Sequence, residues 1–342
     1  MPSIRKSIAV KVARGLNAYL KLEAGLTHRG LEELRDSAPP VASAAAARNG
    51  VGRANGAHRI KSERIVWIFG SGRSGSTWLS SMMGDIEGHA LWGEPWVGDL
   101  FGGFYYRSVD KRKHDAPHFI MGPHKEAWLG AIRNFVLDSA EAVFPALSEE
   151  GYLVIKEPNG SVGAPLMMGA FPESRMVLLV RDPRDVVASY KDARRKGGWH
   201  YERHKERYSS ESRIVAEKNP LTFAEERARR YLRGMGKAKE AYDAHQEHKV
   251  LIKYEDLRAD TLKTMKRLYA TLEIPVDERE LARVVERRSW ENIPEGKKGE
   301  GKFYRKAKPG GWREDLTPEQ AEAVERITTP LLEELYPASK TG

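Results

Sequence analysis

The sequence IVWIFGSGRSGSTW, residues Ile65 to Trp78, decides the fold of this chain. Five β-branched and aromatic residues lead into a turn that contains Gly70, Gly72 and Gly75, and an apolar helical segment follows. Glycine adopts backbone angles that side chains forbid, so consecutive N–H groups can converge on one anion at the positive end of the next helix. The stretch therefore predicts a strand, a phosphate-binding turn and a helix.

The turn departs from the pattern G-x-x-x-x-G-K-[ST] that binds nucleoside triphosphates. Gly70, Gly75 and Thr77 match it, but Ser76 stands in place of the lysine, and the nearest cation is Arg73. Without that lysine the loop is poorly equipped to hold β- and γ-phosphates with magnesium. A P-loop kinase of a small molecule is therefore an alternative that magnesium-dependent use of ATP would support.

Composition places the chain among ordinary globular proteins. It has 342 residues, of which 40% are hydrophobic and 31% charged. No apolar run approaches the roughly 18 residues of a membrane span, and the N-terminus lacks the apolar core and cleavage site of a secretory signal. With no cysteine, disulfides and thiolate metal sites are excluded. We therefore expect a cytoplasmic protein.

The net charge of +9 is concentrated near the N-terminus. Residues 1–64 carry 12 Lys+Arg against 5 Asp+Glu, which leaves +2 for the rest and gives no broad nucleic-acid surface. Apolar residues recur at helical spacing among basic ones over 4–21, which predicts a helix that contacts an anionic membrane or packs on its own domain. A non-enzymatic polyanion or membrane-surface binder is thus a second alternative. We predict a basic helical extension at 1–36, a linker at 37–58 and one domain at 59–342.

Polar residues follow each of the other predicted strands. Apolar segments end at Glu94, Lys156, Arg181 and Tyr254, and parallel strands would bring these ends to the edge that holds the glycine turn. Arg181 with Ser189 suits a terminal phosphate, although R-D-P is also a common salt-bridged helix start.

Two aromatic groups are open to two interpretations. Trp92 and Trp96 flank Glu94 and would partly desolvate it, as a general base requires, but this segment taken alone favours a surface glutamate before a proline. The cluster of Phe101, Phe104, Tyr105 and Tyr106 suits an acceptor pocket or a small satellite core, and we expect it in a loop.

Three ordered motifs resemble those of the sulfotransferases that use 3'-phosphoadenosine 5'-phosphosulfate (PAPS). Residues 73–78 are similar to [KR]-S-G-[TS]-T-W, Arg181 and Ser189 to R-x7-S, and residues 305–312 to R-K-G-x-x-G-D-W. The resemblance covers about 64–315. It implies a P-loop-like, three-layer α/β domain with a central, mostly parallel sheet flanked by helices.

The resemblance also implies which residues bind the nucleotide. The first motif would hold the 5'-phosphosulfate, Arg181, Ser189, Arg305 and Lys306 the 3'-phosphate, and no metal is implied. Trp78 would stack on the adenine and Tyr254 would help to hold it, although both also suit core packing. The implied nucleotide-binding set is Gly72, Arg73, Ser74, Gly75, Ser76, Thr77, Trp78, Arg181, Ser189, Tyr254, Arg305 and Lys306.

The catalytic base is assigned by a departure from one branch of that family. Cytosolic members that act on phenols and steroids carry K-T-H at a strand end, and here Lys156 is kept while Pro158 replaces the histidine. Tyrosylprotein, carbohydrate and bacterial members use a glutamate about twenty residues after the loop, in a G-E context that Glu94 fits. We predict Glu94 as the base, in preference to His118 and His124.

The implied reaction is in-line transfer of a sulfuryl group to an acceptor hydroxyl. Glu94 would take the hydroxyl proton, and Arg73 and Lys156 would face the charge on the leaving phosphate. Ala307 and Gly311 replace the usual glycine and aspartate of the late motif, so a local backbone difference is expected there. The acceptor, whether sugar, lipid, small alcohol or phenol, would be chosen by residues 97–150 and 191–215.

Overall fold

This computed structural model describes residues 58–109, 124–204 and 219–336. The predicted extension at 1–36 and almost all of the linker at 37–58 lie outside the described residues, as does His118. Their assignments, including membrane contact through 4–21, stay predictions. Among the described residues, no helix is both long and apolar enough to cross a membrane.

A five-stranded, fully parallel sheet forms the centre of the domain. The strands are β1 Ile65–Gly70, β2 His89–Gly93, β3 Tyr152–Lys156, β4 Arg175–Val180 and β5 Lys249–Lys253. Their order across the sheet is β2-β3-β1-β4-β5, and all four pairings are parallel. The predicted α/β class with a central parallel sheet is confirmed.

Helices connect the strands and follow the last of them. They are α1 Ser76–Gly84, α2 Phe104–Val109, α3 Lys125–Val143, α4 Ala164–Ala170, α5 Pro183–Arg194, α6 Trp199–His204, α7 Pro220–Ala244, α8 Tyr254–Ala259, α9 Thr261–Thr271, α10 Glu278–Arg287, α11 Trp312–Asp315 and α12 Pro318–Leu335. Short 3-10 turns at Ser62–Arg64, Ser161–Gly163 and Glu295–Lys297 and a π-helical turn at Asp99–Gly103 complete the described elements.

Alternation along β1 divides the core into two layers. Ile65, Trp67 and Phe69 pack in the cluster that contains residues of α3, α4, α7 and α12, whereas Val66 and Ile68 pack with α1, α9 and α10. Successive side chains of a strand point to opposite faces, so one apolar strand serves both layers. The central strands β1, β3 and β4 are buried along their whole length, as expected for a sheet covered on both faces.

Close backbone packing of glycines fixes the segment that follows β2. A Cβ atom on Gly163 would lie 2.1 Å from the carbonyl oxygen of Gly98, and one on Gly102 would lie 2.2 Å from Cα of Gly163. No side chain fits at these distances. The π-helical turn is thereby seated directly on the turn after β3.

We expect Gly163→Ala to lower the free energy of unfolding by about 1–3 kcal/mol, because the new methyl group can only displace backbone atoms. Gly130→Ala is the matched control, since Gly130 is exposed inside α3 and its Cβ would meet nothing within 4 Å. Alanine there should raise stability by roughly 0.5–1 kcal/mol. Denaturant unfolding measures both, and an equal effect of the two substitutions would contradict the packing.

Candidate functional site

A cavity of about 750 Å³ opens at the carboxyl edge of the sheet. Its lining brings together thirteen of the fourteen residues that the sequence assigned to nucleotide binding or catalysis: Gly72, Arg73, Gly75, Ser76, Thr77, Trp78, Glu94, Lys156, Arg181, Ser189, Tyr254, Arg305 and Lys306. Ser74 is buried beneath the loop, where its Oγ donates to the carbonyl oxygen of Ser71 at 2.6 Å. It braces the turn and does not line the cavity.

Two tyrosine rings fix the glycine loop between β1 and α1. Gly75 has φ +91°, and a Cβ atom there would lie 2.6 Å from the ring of Tyr254. A Cβ atom on Gly72 would lie 2.1 Å from Oη of Tyr190. The N–H groups in the first turn of α1 have no intrahelical acceptors and lie at the positive end of the helix dipole. Because residues 76–78 line the cavity, an anion bound there would meet these donors.

The Glu94 carboxylate lies in a hydrogen-bonded chain that reaches the glycine loop. The Lys156 ammonium forms an ion pair with Glu94 and also lies 3.3 Å from Oγ1 of Thr77. Asn159 Nδ2 donates to the other carboxylate oxygen at 2.7 Å, and the Glu94 N–H donates to the Lys156 carbonyl at 2.8 Å. Glu94 has φ +59°, a conformation uncommon outside glycine. Its position is therefore fixed by neighbours on β3 and the following turn.

The expected aromatic flanking of Glu94 takes a different form. Trp92 lies on β2 and packs against Phe144, with ring centroids 6.1 Å apart. Trp96 lines the cavity but is 49% exposed. Trp92 packs against the core cluster, whereas Glu94 comes after the end of β2 with φ +59° and has polar partners instead.

Arg73 joins the glycine loop to residues far along the chain. Its Nε donates to Oγ of Ser189 at 3.0 Å, and its Nη2 donates to the Phe303 carbonyl at 2.9 Å. Burial, together with nearby Arg181, lowers the pKa of Arg73 to about 10. Desolvation disfavours a charged group, so this guanidinium gains from a negative partner.

Arg181 follows β4 and faces the same region. Its Nη1 donates to the Arg73 carbonyl at 2.9 Å, and its guanidinium lies 4.2 Å from the centre of the Tyr254 ring. Its Nε is buried without a hydrogen-bond partner. Buried donors are normally satisfied, so this atom marks a place where a ligand acceptor fits.

The two cations of the late loop have acidic partners. Arg305 forms an ion pair with Asp315, and Nζ of Lys306 lies 2.8 Å from Glu314 and 3.0 Å from Asp315. Burial lowers the pKa of Arg305. Both cations line the cavity, and the sequence did not indicate that carboxylates would hold them.

Two buried carboxylates of α5 fasten the late loop, and sequence reasoning missed both. Asp185 accepts from the N–H groups of Gly310 at 2.8 Å and Trp312 at 2.9 Å, and Asp192 accepts from the N–H of Gly301 at 3.0 Å. These contacts join residues more than a hundred positions apart. The local signal for Asp185 was its place in the first turn of a helix, which usually reflects the helix dipole, and Asp192 near the end of the same helix had no such signal.

Trp78 and Tyr254 line one end of the cavity and contact each other edge to face. Their ring centroids are 6.5 Å apart with planes at 70°, and Nε1 of Trp78 donates to the Arg288 carbonyl at 2.7 Å. Arg258 lies 5.7 Å above the Trp78 ring. These contacts hold Trp78 at the surface of the cavity, where a planar ligand can reach it.

The other candidate residues lie elsewhere. The segment with Phe101 and Tyr105 is helical where a loop was expected, and Phe101 packs on Phe135 with ring centroids 5.5 Å apart. Of the four predicted aromatics, none lines the main cavity, which favours the satellite-core interpretation. His124 is exposed at the start of α3 and does not line the cavity either.

Glu157 is a buried carboxyl group beneath the site that the sequence did not single out. Its Oε2 accepts from the Trp96 N–H at 3.1 Å, while Oε1 is buried without a partner. Burial raises the pKa of Glu157 to about 8, and the nearby Glu94 and Asp99 carboxylates act in the same direction. Burial thus favours the protonated form of Glu157, and its bond to Trp96 fastens the loop that carries Glu94.

We expect the free energy of unfolding to fall as pH rises from about 5 to about 9, because of the ionisation of Glu157. The unfolded chain ionises Glu157 near its ordinary pKa while the folded chain keeps the proton, so the stabilisation is lost as pH rises through the folded pKa. Glutamine stays neutral, so Glu157→Gln should remove this pH dependence, which amounts to a few kcal/mol in the free energy of unfolding over this range. Denaturant unfolding at a series of pH values measures the slopes, and parallel profiles would refute the assignment.

Comparisons with known proteins bear on the family and the fold of this chain. The family model described as "Sulfotransferase domain" matches residues 63–336. No curated protein sequence matches the chain. Mouse sulfotransferase SULT7A1 complexed with PAP aligns with a TM-score of 0.50 at 16% identity, covering 80% of this chain and 86% of that chain.

Two further solved structures are similar at lower scores. Sulfotransferase STF9 from Mycobacterium avium has a TM-score of 0.48 at 14% identity, covering 80% of this chain and 77% of its own. Retinol dehydratase in complex with androsterone and inactive cofactor PAP has a TM-score of 0.42 at 18% identity, covering 81% and 82%. Because the family model spans most of the chain, the protein belongs to the sulfotransferase domain family.

Proposed function

We propose that the protein transfers a sulfuryl group from PAPS to the hydroxyl group of an acceptor, with Glu94 as general base. The supporting observation is the chain of contacts in which Lys156 pairs with Glu94 and also reaches Thr77 of the glycine loop. The Lys156 side chain thus contacts both the Glu94 carboxylate and the first turn of the helix that follows the glycine loop. Acceptor deprotonation and stabilisation of a leaving phosphate require these three groups together.

The residues in the cavity fit the two charged ends of PAPS. The glycine loop and first turn of α1 offer N–H donors for the 5'-phosphosulfate. Arg181, with its unsatisfied Nε, and the neighbouring Ser189 and Arg305 fit the 3'-phosphate. Trp78 and Tyr254, which contact each other edge to face, form an aromatic wall of the cavity against which the adenine can pack.

When bound, the nucleotide supplies the sulfuryl group and departs as the 3',5'-bisphosphate. Glu94 takes the proton of the acceptor hydroxyl as its oxygen bonds to sulfur and the bond from sulfur to the phosphate oxygen breaks. Lys156 lies between Glu94 and Thr77, so it can offset negative charge on the side of the leaving group. Asn159 keeps the carboxylate oriented through its 2.7 Å hydrogen bond. Positioning and electrostatics then supply most of the rate enhancement, as in phosphoryl transfer.

The acceptor belongs to the broad class of hydroxyl compounds, which includes sugars, lipids, small alcohols and phenols. Trp96 and Asn159 line the same cavity as Glu94, and we expect the acceptor to contact them there. We place the reaction in the cytoplasm, which the cysteine-free composition suits.

The nucleotide assignment is tested by calorimetric titration with 3',5'-adenosine bisphosphate and with ATP plus magnesium. We expect micromolar binding of the bisphosphate, and we expect Arg181→Ala to weaken it by about 1.5–3 kcal/mol, the scale of a charged hydrogen bond. Arg229→Met is the matched control, because Arg229 pairs with Glu225 on the exposed side of α7. Tight binding of ATP with magnesium and none of the bisphosphate would favour the kinase alternative.

The base is tested by Glu94→Gln. We expect affinity for the bisphosphate to persist and turnover to fall roughly a hundredfold or more, the scale of losing a general base. Since Lys156 is only 7% exposed, its loss of an ion-pair partner also costs stability, so thermal unfolding must show that the variant is folded at the assay temperature. Turnover equal to that of the unaltered protein would remove Glu94 from this role.

A further inference from the structure

Three arginines lie together where the main cavity meets a second one. Arg227 and Arg230 of α7 line both cavities, and Arg194 at the end of α5 lines the main one. We call these three residues the arginine cluster. The second cavity, of about 170 Å³, also shares Asn159 and Tyr190 with the main one.

Two members of the arginine cluster pack on one aromatic ring beside the glycine loop. The guanidinium of Arg194 lies 5.9 Å from the centre of the Tyr190 ring, and that of Arg227 lies 5.8 Å from it. The hydroxyl of Tyr190 occupies the space that a Gly72 side chain would need. A Cβ atom on Gly72 would also lie 3.4 Å from Oδ1 of Asn159, the residue that donates to Glu94. The cluster thus lies close to the Glu94 end of the cavity.

These cations lack acidic partners among the described residues. No described carboxylate forms an ion pair with Arg194, Arg227 or Arg230, although the chain elsewhere pairs its arginines freely. The Nε atoms of Arg194 and Arg227 are buried without a hydrogen-bond partner. Burial and the neighbouring guanidinium groups of Arg194 and Arg230 lower the pKa of Arg227 to about 10. Like charges held together and unsatisfied donors are costly unless an anion joins them.

The cluster is separate from the residues proposed to hold the adenine and the 3'-phosphate, and it adjoins the glycine loop at Gly72, which lines both cavities. Trp78, Tyr254 and Arg181 line the main cavity but not the second one. Their contacts are with Arg288, Arg258 and Arg73, whereas the cluster contacts Tyr190 and Phe223. An anion at the cluster would therefore be distinct from the 3'-phosphate of the nucleotide.

We propose that the arginine cluster binds a negatively charged group of the acceptor, so that the preferred substrate is a hydroxyl compound that also carries a phosphate, sulfate or carboxylate. This inference rests on the proposed sulfotransfer for the identity of the acceptor site. Guanidinium groups bind such anions through two parallel hydrogen bonds, which fixes orientation as well as position. The anion would anchor the acceptor at Arg227 while its hydroxyl reaches Glu94.

The direct test is binding of inorganic phosphate to the protein saturated with 3',5'-adenosine bisphosphate, at constant ionic strength. The bisphosphate fills the nucleotide subsites, and phosphate in the vacated sulfuryl position would not depend on Arg227. We expect Arg227→Met to weaken phosphate binding at least about tenfold, the loss expected for a charged hydrogen bond. Methionine keeps the packing on Tyr190 and Phe223. Arg227→Lys should restore part of the affinity, and Arg229→Met on the same helix should change nothing.

The acceptor preference is tested with matched pairs, glucose against glucose 6-phosphate and 4-hydroxyphenylacetamide against 4-hydroxyphenylacetate. We expect kcat/KM to be at least about tenfold higher for the charged member that reacts, and this ratio to approach one in Arg227→Met but not in Arg229→Met. Equal use of both members, or phosphate binding unchanged in Arg227→Met, would overturn the proposal. Weaker bisphosphate binding in Arg227→Met, with no change towards phosphate, would also overturn it.

Failure of the proposed function gives a different result. A protein that does not bind the bisphosphate contradicts the nucleotide assignment. Even then, the phosphate affinities of the unaltered protein and of Arg227→Met show whether the cluster binds an anion, because a binding measurement does not require turnover.

Discussion

Parallel pairing of the strands is the constraint on which the candidate site depends. The register aligns Gly93 with Lys156 across β2 and β3, and Ile68 with Lys156 across β1 and β3. The carboxyl ends of the five parallel strands therefore lie at one edge, and the residues after them must share the space beyond it. Parallel strands need crossover connections, which here place helices on both faces and leave that edge as the opening. The candidate functional residues lie together at this edge because the strand register brings distant segments of the chain there.

The same edge collects positive charge beyond what the described carboxylates neutralise. Arg73, Arg181 and Arg227 line one cavity, and two of them have pKa values lowered to about 10 by burial. A folded protein tolerates such a concentration when the stability of the sheet and core exceeds its cost. The cavity is thus preorganised for anions, since the donors are in place before a ligand arrives and need little reorganisation.

The sequence predicted the elements of this site better than the contacts between them. Apolar runs marked β1, β3, β4 and β5, and the glycine turn marked the anion site, because these signals are local. The helical turn at Asp99–Gly103 was missed, since its glycines read as a loop and only the backbone contact with Gly163 explains them. The roles of Asp185 and Glu157 could not be read either. Asp185 binds N–H groups that only tertiary packing brings near it, and the raised pKa of Glu157 results from burial that only tertiary packing produces.

The late loop shows why a departure from a family motif need not remove its geometry. Ala307 replaces a glycine, yet it adopts φ +48°, a left-handed conformation that costs a residue with a side chain about 1–2 kcal/mol. Arg258 donates to its carbonyl at 3.1 Å, which helps to hold that conformation. Gly311 replaces an aspartate, but Asp185 accepts from the N–H groups on either side of it. The conformation of the loop is thus set by α5 and α8, and substitutions inside the motif leave Arg305 and Lys306 at the cavity.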